Sequence, residues 1–268
     1  MAAVRPAWTG KRVSLTMSLL KWVIRPYLYG RYQLERLTGT GAFGADPAVY
    51  LTDPHVSAGN RVKDGLHRFH VKQFLESSCS AATIASVVNT LLERQGSLPE
   101  PAVTQQDLLG QVRAEHWKER MSEKGYRGRR GLPLDVLGRV VKANLDTFQA
   151  GYRSVETVQA RPESDPGSPA FKETLIQRLK RFEEKGDCLL IAHFDQGSFI
   201  KEFHIPHISP VGGYDPGRSM VRILDVDGGQ AFPYEISFDR FYSGISTDYN
   251  SVFRYFGYAE GGYVFIQL

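Results

Sequence analysis

From residue 187 onward the chain carries four strand-like runs, DCLLIAHF, HISPVGGY, SMVRILDV and GYVFIQL, and the clear helical patterns lie ahead of them. Each run is short, rich in β-branched or aromatic residues and bounded by turn residues, which favours strand over helix. HISPVGGY and SMVRILDV are joined by Asp215-Pro216-Gly217-Arg218, a turn sequence that predicts a hairpin. Upstream, Ile84, Ala85, Val88, Leu91 and Leu92 recur on one helical face, with Gly96 and Pro99 as the stop. Thr104-Gln105-Gln106-Asp107 reads as the capped start of another helix. Pro133 opens a helix through Leu137, Val140 and Val141, and Ser168-Pro169 opens one with Phe171, Leu175, Leu179 and Phe182 on one face. Helices first and antiparallel strands second predict an α+β fold.

The reactive side chains fall at the junctions of this pattern. Cys79 stands just ahead of the first helical run, where the positive end of the helix dipole favours thiolate over thiol. His207 and Asp225 lie eighteen residues apart on the two arms of the predicted hairpin, so Asp225 can orient the His207 ring. Singly, each has an ordinary explanation: a core cysteine, a structural histidine, a turn-capping aspartate. Together they are the parts of a thiol acyl-transfer site.

Gln73, then Cys79 six residues later, then a distant His207 followed by Asp225, is an order that resembles papain-like cysteine hydrolases. Within that group the chain looks most like phytochelatin synthase. HISPVGGY resembles that family's HFSPIGGY, ILDV is similar to the run holding its acid, and the eighteen-residue gap is the same. The likeness extends from about Gln73 to Thr247. It implies a papain-like fold, a helical lobe and an antiparallel sheet lobe with the active site between them. Cys79 would attack the Cys-Gly bond of glutathione and expel glycine, leaving a γ-glutamylcysteinyl thioester. Water would then give γ-glutamylcysteine, and a second glutathione a phytochelatin. His207 would protonate the leaving amine, and Gln73 would set its amide beside the Cys79 backbone N–H as an oxyanion hole. No cofactor is required; cadmium or zinc would enter as complexes of the substrate thiol.

Three departures from the family pattern bear on this. Ser80 stands where the family usually has glycine, and its side chain is expected to narrow the site. Gly228 stands where plant members carry an arginine implicated in activity. The cysteine-rich C-terminal region of plant members has no counterpart in these residues, so metal sensing by such a tail is not expected. The first two favour hydrolysis over transfer. The alternatives are a peptidase or isopeptidase with another peptide or protein substrate, and a catalytically silent binding module of the same fold.

The chain has 268 residues, 42% of them apolar, enough for one large core or for a domain with an extension. Residues 35–68, rich in Gly, Thr, Asp and Pro, supply the boundary: residues 1–60 read as a basic, apolar extension with a loop segment, and residues 61–268 as the catalytic domain. Of 33 basic residues, Arg5, Lys11, Arg12, Lys21, Arg25 and Arg31 lie in the first 34 positions, which hold no acid. The remaining 27 face 29 acidic residues, a balance that argues against nucleic acid as the main partner. The apolar stretch VSLTMSLLKWVIRPYLYG is interrupted by Lys21, Arg25 and Pro26, too short to span a bilayer and without a clear cleavage site. It reads as a helix docked on the domain or as a peripheral membrane or targeting segment.

Cys79 and Cys188 are the two cysteines, so no disulfide framework exists and a reducing, cytoplasmic location is expected. Cys188, in an apolar run, reads as an inert core thiol. His67 with His70 and His204 with His207 form HxxH pairs, but neither segment reads as helix and no CxxC accompanies them, so no metal site is expected. His204 reads as a surface or cleft residue beside the true base. His55, His116 and His193 receive no role.

Overall fold

The computed structural model of the protein describes residues 10–52, 59–249 and 253–268. Helix α1 (Gly10–Thr38) continues through Pro26 and is followed by a two-residue strand β1 (Val49–Tyr50). Helix α2 (Arg61–Arg68) is capped by Asn60, whose side chain accepts from the Lys63 backbone. The sequence expectation that the His67 segment is not helical is therefore wrong. Buried Val62 and Leu66 anchor this short helix, and His70 lies beyond its end.

Helix α3 (Cys79–Arg94) is buried from Cys79 through Leu92 on every side, more than the single apolar face in the sequence predicts. It packs against α2 and the sheet, and small residues such as Ala81, Ala82 and Ser86 let its neighbours approach. Helix α4 (Gln105–Gln111) begins with the expected capping box of Thr104 and Asp107. Helices α5 (Trp117–Met121) and α6 (Leu134–Thr147) complete the helical side, with Pro133 at the cap of α6 as expected.

Strand β2 (Ser154–Gln159), helix α7 (Ser168–Lys185), strand β3 (Cys188–Asp195) and the single turn α8 (Gln196–Phe199) follow. Strands β4 (Pro206–Asp215) and β5 (Met220–Ile223) form the expected hairpin. Its turn is pinned by Asp215, whose Oδ1 accepts from the backbone of Gly217 and Arg218 at 2.9 and 3.1 Å. Strand β6 (Tyr234–Ser237), helix α9 (Phe238–Ile245) and strand β7 (Gly262–Gln267) end the order.

The seven strands make one antiparallel sheet in the order β1-β6-β5-β4-β3-β7-β2. Residues 49–50, from the segment read as extension, thus pair with β6 at one edge. The register between β3 and β4 sets His207 opposite Phe194. Contact between α3 and β4, with Thr83 Oγ1 donating to the Ile208 carbonyl at 3.1 Å, brings the start of α3 to the start of β4.

Candidate active site

The start of α3 is left open by its own cap residue. Ser78 turns its hydroxyl back into the preceding turn, accepting from Leu75 N and donating to Leu75 O, both at 2.9 Å. It makes no side-chain bond to the helix. The backbone N–H groups of Cys79 and Ser80 find no acceptor among the described residues. A helix begins with unsatisfied donors of this kind, and here they surround a thiol.

Cys79, Gln73 and His207 line one cleft of about 380 Å³, together with Arg130, Gln196, Glu202, Asp227 and Tyr258. His207 is buried, its Nε2 2.8 Å from Asp225 Oδ1, which leaves Nδ1 for its hydrogen bond with Cys79. The ring of Phe194 stands edge-on to the imidazole, with centroids 5.4 Å apart. Burial works against a charge on His207, but attraction to Asp225, the hydrogen bond between them and the Cys79 contact outweigh it and raise its pKa to about 10. Asp225 is driven up by burial and down by His207, by the Asp227 backbone N–H and by the Tyr234 hydroxyl, and comes to about 2. The pair is therefore held as imidazolium and carboxylate.

Asp225 lies two residues beyond the end of β5, not within a strand. The segment stays in place because Leu224 N donates to Pro210 O and Val226 N to Ser209 Oγ. His70 and Lys72 both bond the Asp225 carbonyl, at 2.9 and 2.6 Å. Gln73 is tied to the same segment, its N–H donating to Val226 O at 2.8 Å. Its side-chain Nε2 donates to Glu76 O at 3.3 Å, leaving one amide hydrogen free to serve another acceptor, and its buried Oε1 has no partner.

Ser80 does not narrow the cleft. Its hydroxyl is fully buried, accepting from Trp117 Nε1 at 3.0 Å and reaching Met121 Sδ at 3.5 Å in α5. Successive helical residues point about 100° apart, so with Cys79 turned to the cleft Ser80 is turned to the core. His204 is neither a surface nor a cleft residue. It is buried with Nδ1 2.5 Å from Asp195 Oδ2 and Nε2 2.7 Å from Glu35 Oε2. Cys188 is fully buried in β3, and burial pushes its thiol up to about 12. His193 is buried against the Leu132 carbonyl, and His116 stacks on Tyr126. His55 lies outside the described residues.

Tyr234 escaped the sequence reading. Its hydroxyl donates to Asp225 Oδ2 at 2.8 Å, so both oxygens of the acid are engaged. A buried tyrosine needs a partner for its hydroxyl, but the sequence does not say which one. Arg130, on the cleft wall, pairs with the exposed Glu76 at 3.2 Å while its buried Nε has no partner.

A family model for phytochelatin synthase matches residues 64–256, which include Gln73, Cys79, His207, Asp225 and Tyr234. The chain belongs to the phytochelatin synthase family. No curated protein matches it. The helices and the seven-stranded antiparallel sheet are the papain-like fold of that family. The family is one of enzymes, γ-glutamylcysteine dipeptidyltransferases that act on glutathione. Among the described residues no helix is long and apolar enough to cross a membrane.

Proposed function

We propose that the protein cleaves the Cys-Gly peptide bond of glutathione through a γ-glutamylcysteinyl thioester on Cys79. The observation that carries this reading is the His207 ring held charged between Asp225 and Cys79, at a helix start with unpaired N–H groups. Cys79 Sγ, its proton already on His207, attacks the cysteinyl carbonyl of the substrate. The oxyanion is received by the Cys79 N–H and the Gln73 amide, donors that cost nothing to reorganise when charge develops. His207 gives its proton to the glycine nitrogen as the C–N bond breaks, and glycine leaves as the free amino acid. In the second half His207 takes a proton from the acceptor that attacks the thioester. Asp225 keeps the ring oriented throughout, braced by Tyr234.

Glutathione carries two carboxylates and one ammonium. Arg130 offers a guanidinium with an unused Nε to a carboxylate, and Glu202 and Asp227 offer carboxylates to the ammonium in the same cleft. Thiol-binding ions such as cadmium and zinc act as complexes of the substrate thiol, and no resident cofactor takes part.

Water is the favoured acceptor. With Ser80 turned away, this preference rests on Gly228, an exposed position where an added Cβ would meet nothing within 4 Å. A second glutathione needs groups to hold it, whereas water needs access and a base. The test is incubation with glutathione, with and without cadmium or zinc, and quantification of glycine, γ-glutamylcysteine and longer products. Equimolar glycine and γ-glutamylcysteine support hydrolysis. Predominant phytochelatin rejects the preference, and no glycine release rejects the substrate.

A further inference from the structure

The first helix is one-sided in a way the catalytic reading does not use. On α1 the side chains of Trp22, Val23, Tyr27, Tyr29, Leu34 and Leu37 are all exposed, Trp22 at 79% and Leu37 at 83%. At 3.6 residues per turn these six fall within one arc of about 160°. No charged residue between Trp22 and Thr38 falls inside that arc, and the exposed Arg25 and Arg36 border one side of it. The opposite arc holds Ile24, Leu28, Arg31, Tyr32 and Glu35, all partly buried. There the helix is fixed to the body: Tyr32 packs on Phe203 with ring centroids 5.3 Å apart, and Glu35 bonds His204 at 2.7 Å. The apolar face is thus presented on a helix anchored at its C-terminal end.

Water is a poor partner for such a face, and the charge around it selects among the others. The first 34 residues carry six basic side chains and no acid, while the rest of the chain is slightly acidic, and five of the six, Lys11, Arg12, Lys21, Arg25 and Arg31, belong to this helix. A second copy laid on the face would bring two basic rims together and suffer their repulsion. An anionic lipid surface satisfies both halves of the pattern, taking Trp, Tyr and Leu at the acyl boundary and arginine among the headgroups. The helix is not apolar enough to cross the bilayer.

We infer that α1 lies flat in the interface of an anionic membrane and holds the protein there as a peripheral protein. Because Phe203 both packs on α1 and lines the catalytic cleft, the active site is held close to the lipid surface.

The test is flotation of the full chain with vesicles of phosphatidylcholine alone and of phosphatidylcholine with phosphatidylglycerol. The expected result is recovery with the phosphatidylglycerol vesicles, loss of it on raising salt, and release by carbonate. A Trp22→Asp, Leu34→Asp variant should bind on the order of tenfold or more weakly, and an Arg25→Gln, Arg36→Gln variant should lose its preference for the anionic lipid. Unchanged circular dichroism and melting temperature show that both variants fold. Sedimentation of the free protein completes the test. Absence from anionic vesicles overturns the inference, as do equal binding to neutral ones and retention after carbonate, which means insertion. A dimer that the Trp22→Asp, Leu34→Asp variant dissolves also overturns it, because the face would then belong to a second copy.

Discussion

Replacing Tyr234 with phenylalanine removes one hydroxyl and keeps a fully buried ring in place. That hydroxyl donates to Asp225 Oδ2 at 2.8 Å and helps hold the carboxyl down at about 2. A buried hydrogen bond to a charged acceptor is worth about 1.5–3 kcal/mol, and one pKa unit about 1.4 kcal/mol, so the Asp225 pKa should rise by roughly 1–2 units. Asp225 is depressed below its ordinary 3.8, so its contribution to stability is present above that value and is lost as pH falls through about 2. The variant should lose about 1.5–3 kcal/mol at neutral pH, with the deficit shrinking in acid as both proteins protonate the carboxyl. Urea unfolding across the acid range, with paired wild-type and Tyr234→Phe curves, measures this directly. A deficit of the same size from neutral pH down through about 2 would refute the reasoning, because it would show that the hydroxyl does not favour the charged acid.

The other expectations concern turnover. Cys79→Ser should abolish glycine release and Cys188→Ala should leave most of it, since the Cys188 thiol is sealed in β3 away from the cleft; comparable activity in Cys79→Ser would remove the nucleophile from the scheme. Gln73→Ala should lower kcat by about 100- to 1000-fold, the cost of one oxyanion donor, with a smaller effect on KM. Steady-state kinetics on folded protein separate the two parameters, and a wild-type kcat would take Gln73 out of the mechanism. Gly228→Arg should fold normally, because the position is exposed and open. Product analysis should show it shifted toward phytochelatin, and an unchanged ratio would separate this position from acceptor choice.

What could be read from the chain beforehand was what local sequence controls. The α3 start, the Thr104–Asp107 capping box, the proline-led starts of α6 and α7 and the Asp215 turn are each written within a few residues. The hairpin followed from its turn, and with it the meeting of His207 and Asp225. Strands β1, β2 and β6 were not legible: they run to two, six and four residues, and their pairing with distant partners settles their conformation. Ser80 was misread because its comparison with glycine addressed size and not direction. His204 was misread because its burial depends on Asp195 and on Glu35, 169 positions away.

Strand β7 is the last of the seven along the chain, yet it lies inside the sheet, between β3 and β2. The strand bearing Phe194, which backs the catalytic hairpin, therefore waits with one ladder edge unsatisfied until residues 262–267 arrive. On a ribosome the sheet cannot close in the order in which it is made. Until then two open edges are templates for pairing with other chains, so nascent protein is prone to aggregate until β7 emerges.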